Sequence, residues 1–205
     1  MKFYNSVGPN PQVVRMFMAE KGLDIPVQQV DLMAGENRKP PFTTQVNISG
    51  QLPALELDDG STLAEITAIC DYLEEKFPNP PVIGATPEAR AETRMWVRRI
   101  DLGICEPMAT GFRAVEGRRL FESRMSLMSV EGAAELKALA REKILWLDAQ
   151  MAGKTYVTGD RFSLADILLF VFLGFGATVG QPIPEEASNI RAWYERIKAR
   201  PSASA

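Results

Sequence analysis

The apolar positions change their spacing part-way along the chain. Lys2–Asn5 puts Phe3 on one face and predicts a short strand. Asn10 and Pro11 then predict a helix start, asparagine as N-cap and proline in the first turn. Val14, Phe17 and Met18 follow at i, i+3 and i+4, and Gly22 stands where a C-terminal cap belongs. Val27–Leu32 reads as a second strand, so residues 2–32 form a βαβ unit. In the polar stretch Gly35–Ser49, Pro40–Pro41 confines any helix to the later part. Leu52–Leu57 is a strand entered through Pro53, Asp59–Gly60 a hairpin turn and Ser61–Ala64 the partner strand. Glu65–Phe77 is amphipathic: Ile66, Ile69, Cys70, Leu73 and Phe77 share one face, while Glu74, Glu75 and Lys76 are expected in water.

Pro78–Pro81 interrupts this pattern, and everything after Thr86–Pro87 has helical period. Helices are predicted near 87–116, 131–152, 163–179 and 188–200, with 120–129 unassigned. Pro107 is expected to kink the first of them. Ser163-x-x-Asp166 is a capping box with aspartate in place of glutamate, a folding signal. The expected organisation is α/β plus all-α: residues 1–80 as a βαβ–ββα domain, a linker at 81–87, and an all-helical domain over 88–205.

Composition narrows the function. Of 205 residues, 46% are hydrophobic and 24% charged, the balance of a globular chain. With no histidine there is no Ser–His–Asp or Cys–His relay and no His-containing zinc site; a metal site would have to be all carboxylate, and no metal is expected. A net charge of −3 without basic runs gives no footprint for nucleic acid. Cys70 and Cys105 cannot build a disulfide framework and suggest a reducing compartment. Residues 1–22 hold no apolar signal core, and the apolar run Ile167–Ala177 is shorter than the roughly 20 residues of a membrane helix. A cytoplasmic location, away from membranes, is therefore expected.

Three motifs in order carry a family resemblance over almost the whole chain. They are Gly50-Gln51-Leu52-Pro53-Ala54-Leu55, Leu63-Ala64-Glu65-Ile66-Thr67-Ala68-Ile69 with Tyr72-Leu73, and Phe162-Ser163-Leu164-Ala165-Asp166-Ile167. Together they resemble a cytosolic glutathione S-transferase of the bacterial and fungal branch. The resemblance implies a thioredoxin-like N-terminal domain, a helical C-terminal domain carrying an electrophile pocket, a homodimer, and a role in detoxification. Its implied activity is attack of the glutathione thiolate on a small hydrophobic electrophile. A non-catalytic glutathione-binding or interaction module, and a dedicated glutathione-dependent reductase or lyase, stand as alternatives.

The resemblance also assigns residues. Leu52, before a cis Pro53, would pair its backbone with the cysteinyl part of glutathione; a trans proline opening an edge strand is the plain alternative. Glu65 would hold the γ-glutamyl ammonium and the Ile66 N–H its carboxylate; the plain alternative is an acid favouring a helix dipole. Ile66 stands where the family commonly has serine or threonine, so one hydrogen bond is lost or comes from Thr67. Asn37, Arg38, Lys39 and Gln51 are candidates for the glycyl carboxylate, with a solvated basic turn as the alternative. Trp96, Met108 and Phe112 line either the electrophile pocket or the core.

The family's usual thiol-activating position falls at Pro9, which can donate nothing. Tyr4 reads as core, and the two cysteines fall outside the site. Lowering a thiol pKa from about 8.5 to ~6.5 takes about 2.7 kcal/mol. A helix N-terminus gives ~0.3–1 kcal/mol, up to ~2 when partly buried, and one charge-assisted hydrogen bond about 1.5–3. Asn10 is the expected donor, with Ser6 or a held water as runner-up.

Overall fold

The sheet of the first half has four short strands in the order β2-β1-β3-β4. They are β1 (Lys2–Asn5), β2 (Val27–Gln29), β3 (Ala54–Glu56) and β4 (Thr62–Ala64). β1 runs parallel to β2 and antiparallel to β3, and β4 closes an antiparallel hairpin with β3. Phe3 faces Leu55 in the ladder, and both are fully buried. β2 is exposed along its length, as an edge strand can be. It ends short of Leu32 because Asp31 turns the chain: its N–H donates to Glu36 and its carboxylate accepts the Ala34 N–H.

In this computed structural model all 205 residues are described, and the chain divides into residues 1–85 with 201–205, and residues 86–200. In the first unit α1 (Pro9–Glu20) and α3 (Ile66–Lys76) pack together, with a short α2 (Phe42–Gln45) between β2 and β3. α1 starts earlier than the sequence pattern predicts. Its N-cap is Gly8, at φ +111°, a conformation that favours glycine, and no side chain caps it. Asn10 is therefore the second helical residue and not the N-cap.

A second correction concerns Glu74, which is buried instead of facing water. Its carboxylate accepts from Lys21 Nζ at 2.7 Å and from the N–H groups of Val82, Ile83 and Gly84 at 3.3, 2.7 and 3.2 Å. Lys21, equally buried, also donates to the Pro80 carbonyl at 2.7 Å. A buried carboxylate is tolerable with this many donors. The pair ties the end of α1 and the middle of α3 to residues 80–84.

The second unit is helical. α4 (Pro87–Ile100) is capped by Thr86, whose hydroxyl accepts the Ala89 N–H at 3.2 Å. A π-helical turn over Asp101–Cys105 leads into α5 (Glu106–Ala114), in which Glu106 N–H bonds back to Asp101 C=O. The wide turn comes directly before Pro107, the residue with no N–H to give. α6 (Arg118–Phe121) occupies the start of the unassigned stretch, followed by α7 (Val130–Gln150), α8 (Leu164–Thr178) and α9 (Ser188–Lys198). α5 and α7 approach closely because Gly111 leaves room for the stem of Lys137, where a Cβ would come within 2.8 Å of Cγ. Gly103 receives Lys143 in the same way, at 3.3 Å.

α8 is almost wholly buried, and the capping box holds at its start. Asp166 accepts from Ser163 N–H and Val157 N–H at 2.9 Å each, Ser163 Oγ at 3.1 Å and Trp193 Nε1 at 2.9 Å. Burial pushes its carboxyl up to about 6 against those donors. The final turn, Pro201–Ser204, packs on α1 in the first unit, where the Ser202 hydroxyl donates to Glu20. No helix is long and apolar enough to cross a membrane.

Candidate functional site

Strand direction decides which loops meet. The C-terminal ends of β1, β2 and β4 and the N-terminal end of β3 lie at one end of the sheet. Ser6–Asn10, Val30–Lys39, Asn47–Pro53 and Glu65–Ile66 therefore gather there. Ligands of such open sheets bind beyond the carboxyl ends of parallel strands.

Leu52 is anchored by its side chain and open along its backbone. The side chain sits in an apolar cluster with Tyr4, Val30, Phe42 and Ala54, bordered by Val46. The Leu52–Pro53 peptide is cis. Neither the N–H nor the C=O of Leu52 is used in a hydrogen bond within the chain. Such groups ask for an outside partner, and an extended peptide supplies both donor and acceptor. Tyr4 is excluded from thiol chemistry, because its hydroxyl donates to Glu56 at 2.6 Å and burial pushes the phenol up.

Glu65 has the most unusual backbone at the site. It is the chain's one non-glycine residue with positive φ, at 70° with ψ 129°. It occupies the N-cap of α3, yet its side chain caps nothing. The carboxylate is exposed and makes no hydrogen bond or ion pair. The acid still stands at the positive end of the α3 dipole, but it does not cap the helix by a hydrogen bond. The first helical bond runs from Ile69 N–H to Glu65 C=O, so the N–H groups of Ile66, Thr67 and Ala68 are free. A bare carboxylate beside free N–H groups matches a ligand carrying both ammonium and carboxylate. Sequence alone gives no sign of this strain.

The loops on the β2 side divide. Asn37 is buried, and its Nδ2 donates to Gly50 C=O at 2.6 Å, so this side chain ties two loops together instead of facing a ligand. Arg38 Nη1 donates to Ser49 C=O at 3.3 Å and Lys39 Nζ to Ala34 C=O at 3.3 Å. Of the two cations only Arg38 lies against the Ser49–Gly50 backbone, next to exposed Gln51. Asn47 steadies the Gly50–Leu52 segment by donating to Gln51 C=O at 3.0 Å.

At the head of α1 the two candidate donors differ. Ser6 is buried and its hydroxyl donates to Val30 C=O at 2.7 Å. The Asn10 side chain is half-exposed and uncommitted. Cys70 and Cys105 are buried free thiols, pushed well up by burial. Trp96, Met108 and Phe112 pack within the helical unit: Trp96 against Trp146, Met108 beneath Gly176, and Phe112 edge-on to Phe121 and Phe175.

Comparison with known proteins decides the family. Residues 7–76 match the model of the glutathione S-transferase N-terminal domain, and residues 130–201 that of the C-terminal domain. Glutathione S-transferase 2 of Saccharomyces cerevisiae is 35% identical over 95% of this chain and 84% of its own length. The chain belongs to the glutathione S-transferase family. The crystal structure of yeast Gtt2 superposes with a TM-score of 0.91 at 34% identity, covering 100% of this chain and 99% of that one. The beta-etherase LigF from Sphingobium sp. strain SYK-6 matches with a TM-score of 0.84 at 26% identity, covering 99% and 96%. The glutathione S-transferase architecture, thioredoxin-like half then helical half, is the one the three sequence motifs imply.

Proposed function

We propose that this glutathione S-transferase family member binds glutathione at the end of its sheet and activates the thiol for attack on a small hydrophobic electrophile. The observation that carries the reading is Glu65: a strained, unpartnered carboxylate beside three free N–H groups. Glu65 takes the γ-glutamyl ammonium, and Ile66 N–H, helped by Thr67, takes the adjoining carboxylate. The backbone of Leu52 pairs with the cysteinyl residue as an added strand. Arg38, Lys39 and Gln51 share the glycyl carboxylate. This threads the tripeptide across the sheet end and points its sulfur at the head of α1, where the free Asn10 amide donates to it. Ser6 acts only as a support.

The likeness to LigF favours a second reading, a glutathione-dependent lyase that uses the same thiolate to cleave an ether. A non-catalytic binding module is the third. Calorimetry with glutathione tests binding, and turnover of an aryl halide against an aryl ether assigns the chemistry. Tight binding with neither turnover leaves a glutathione-binding module, and no binding rejects both enzymatic readings and leaves only an interaction module. The reading further includes a cytoplasmic homodimer with a part in detoxification; a solution mass near 22.7 kDa at micromolar concentration would count against the dimer.

A further inference from the structure

The N-terminus of α1 is poor in donors. Pro9 and Pro11 have no N–H, so only Asn10 and Gln12 contribute amides to the first turn beyond Gly8. A positive charge reaches the same place from lower on the helix. Arg15 points back toward the helix start, as helical side chains do, and its Nη1 donates to Asn5 Oδ1 at 2.7 Å and to Ser6 C=O at 3.5 Å. Asn5 is held in turn by donating from Nδ2 to Gln29 Oε1 at 3.1 Å. All of these partners are neutral.

No carboxylate lies within ion-pair distance of Arg15, although the guanidinium is half-buried. The charged groups of the elements packed on α1 are engaged elsewhere or stand apart. On α3, Glu74 is taken by Lys21 and Lys76 by Asp58, while Asp71 and Glu75 do not reach Arg15. On the terminal turn, Ser202 meets Glu20. β1 contributes Lys2, which pairs with Glu56 at its other end. Burial pulls Arg15 below its ordinary value, but a guanidinium stays charged throughout the working pH range. A half-buried cation without a counter-ion raises the potential around it and stabilises an anion brought there.

We propose that Arg15 is a positioning residue for the thiol chemistry: anchored by Asn5 and the Ser6 carbonyl, it fixes the segment before α1 and supplies the uncompensated positive charge that holds the bound thiol as thiolate. The inference rests on the proposed glutathione site. It differs from the Asn10 role, which is direct donation to sulfur.

The test is spectrophotometric titration of the thiolate of glutathione bound to the full chain, for wild type, Arg15→Gln, Arg15→Lys and Asn5→Asp. Affinity for S-methylglutathione, which has no thiol to ionise, is measured beside it. Arg15→Gln is expected to raise the bound-thiol pKa by about one unit, a tenfold loss of thiolate below that pKa. Arg15→Lys, which retains the charge, should recover at least half of the shift. Asn5→Asp keeps the oxygen that Arg15 holds but gives it the missing counter-ion, so it should raise the thiol pKa even if Arg15→Gln fails to fold. S-methylglutathione should bind all folded variants within threefold of wild type. Equal thiol pKa values in wild type, Arg15→Gln and Asn5→Asp overturn the Arg15 role alone. A fall in S-methylglutathione affinity as large as the loss of thiolate reduces Arg15 to a structural part and also overturns it. Wild type that binds neither ligand rejects the underlying site.

Discussion

Replacing Glu65 by glycine should move stability and affinity in opposite directions. At φ 70° and ψ 129° a side-chain-bearing residue sits in sparsely populated backbone space, at a cost of about 1–3 kcal/mol. Glycine removes that cost but adds unfolded-chain entropy of about 0.5–1 kcal/mol. The net is a gain of about 0–2 kcal/mol, or roughly 2–4 °C in Tm per kcal/mol for a chain of this size. The carboxylate makes no bond within the protein, so its loss leaves nothing unsatisfied in the free state. In the complex it removes a charge-assisted hydrogen bond worth about 1.5–3 kcal/mol, which weakens glutathione by about 10- to 150-fold. Glu65→Gln is the control: it keeps the strained backbone and loses the charge, so affinity falls while Tm stays. Denaturation and calorimetry on the same preparations separate the two effects. A glycine variant that is clearly less stable refutes the strain argument. Unchanged affinity in both variants refutes the ammonium contact.

Three further outcomes are expected. Asn10→Ala should raise the bound-thiol pKa by about one unit, whereas Ser6→Ala should leave it in place and cost about 1–3 kcal/mol of stability by orphaning Val30 C=O; thiolate titration and denaturation check the pair, and a wild-type titration for Asn10→Ala rejects that donor. Lys21→Met leaves the Glu74 carboxylate buried without its counter-charge and should cost about 3–5 kcal/mol in denaturant unfolding; a loss below about 1 would mean the pair is dispensable. The Asp166 carboxyl, at about 6 folded against an ordinary 3.8, binds its proton more readily in the folded state. Its contribution is therefore fully present below pH 3.8 and lost as pH rises to about 6, so a falling slope of stability over that window should be present in wild type and absent in Asp166→Asn.

The sequence was most legible where periodicity and punctuation agree. The four strands, the hairpin at Asp59–Gly60 and the long helices follow from spacing and turn residues within a few positions of one another. The capping box at Ser163 is equally local. What escaped depends on partners far along the chain. Glu74 looks solvent-facing beside Glu75 and Lys76, and its burial depends on Lys21, 53 residues earlier, together with the N–H groups of Val82, Ile83 and Gly84. Asn10 is a good N-cap by residue type, but Gly8 can adopt φ +111° and Pro9 fits the first helical position, so the helix begins two residues sooner. Asn37 reads as a ligand donor until Gly50 comes within its reach. At Glu65 the family resemblance suggested the chemistry, while the backbone strain that makes its placement telling has no trace in the letters. Arg15 sits in an ordinary amphipathic stretch, and its missing counter-ion becomes visible only when its surroundings are assembled.

Gly103 and Gly111 carry a lesson about substitution tolerance. Glycine inside a helix costs about 1 kcal/mol relative to alanine, so a survey of propensity alone would recommend filling both positions. Beneath Gly111, however, an added methyl meets Lys137 Cγ at 2.8 Å and the Ala133 carbonyl at 3.3 Å, neither of them the loose end of a side chain. The spacing between α5 and α7 is thus set by an atom that is left out, and the lysine stem is the matching insert. Such a seam tolerates change on one side only: the ammonium of Lys137 could become another head group on a similar stem, while the glycine opposite has no larger substitute. Stability engineering guided by helix propensity would fail here, and libraries varying α7 should keep the unbranched stem while sampling its tip.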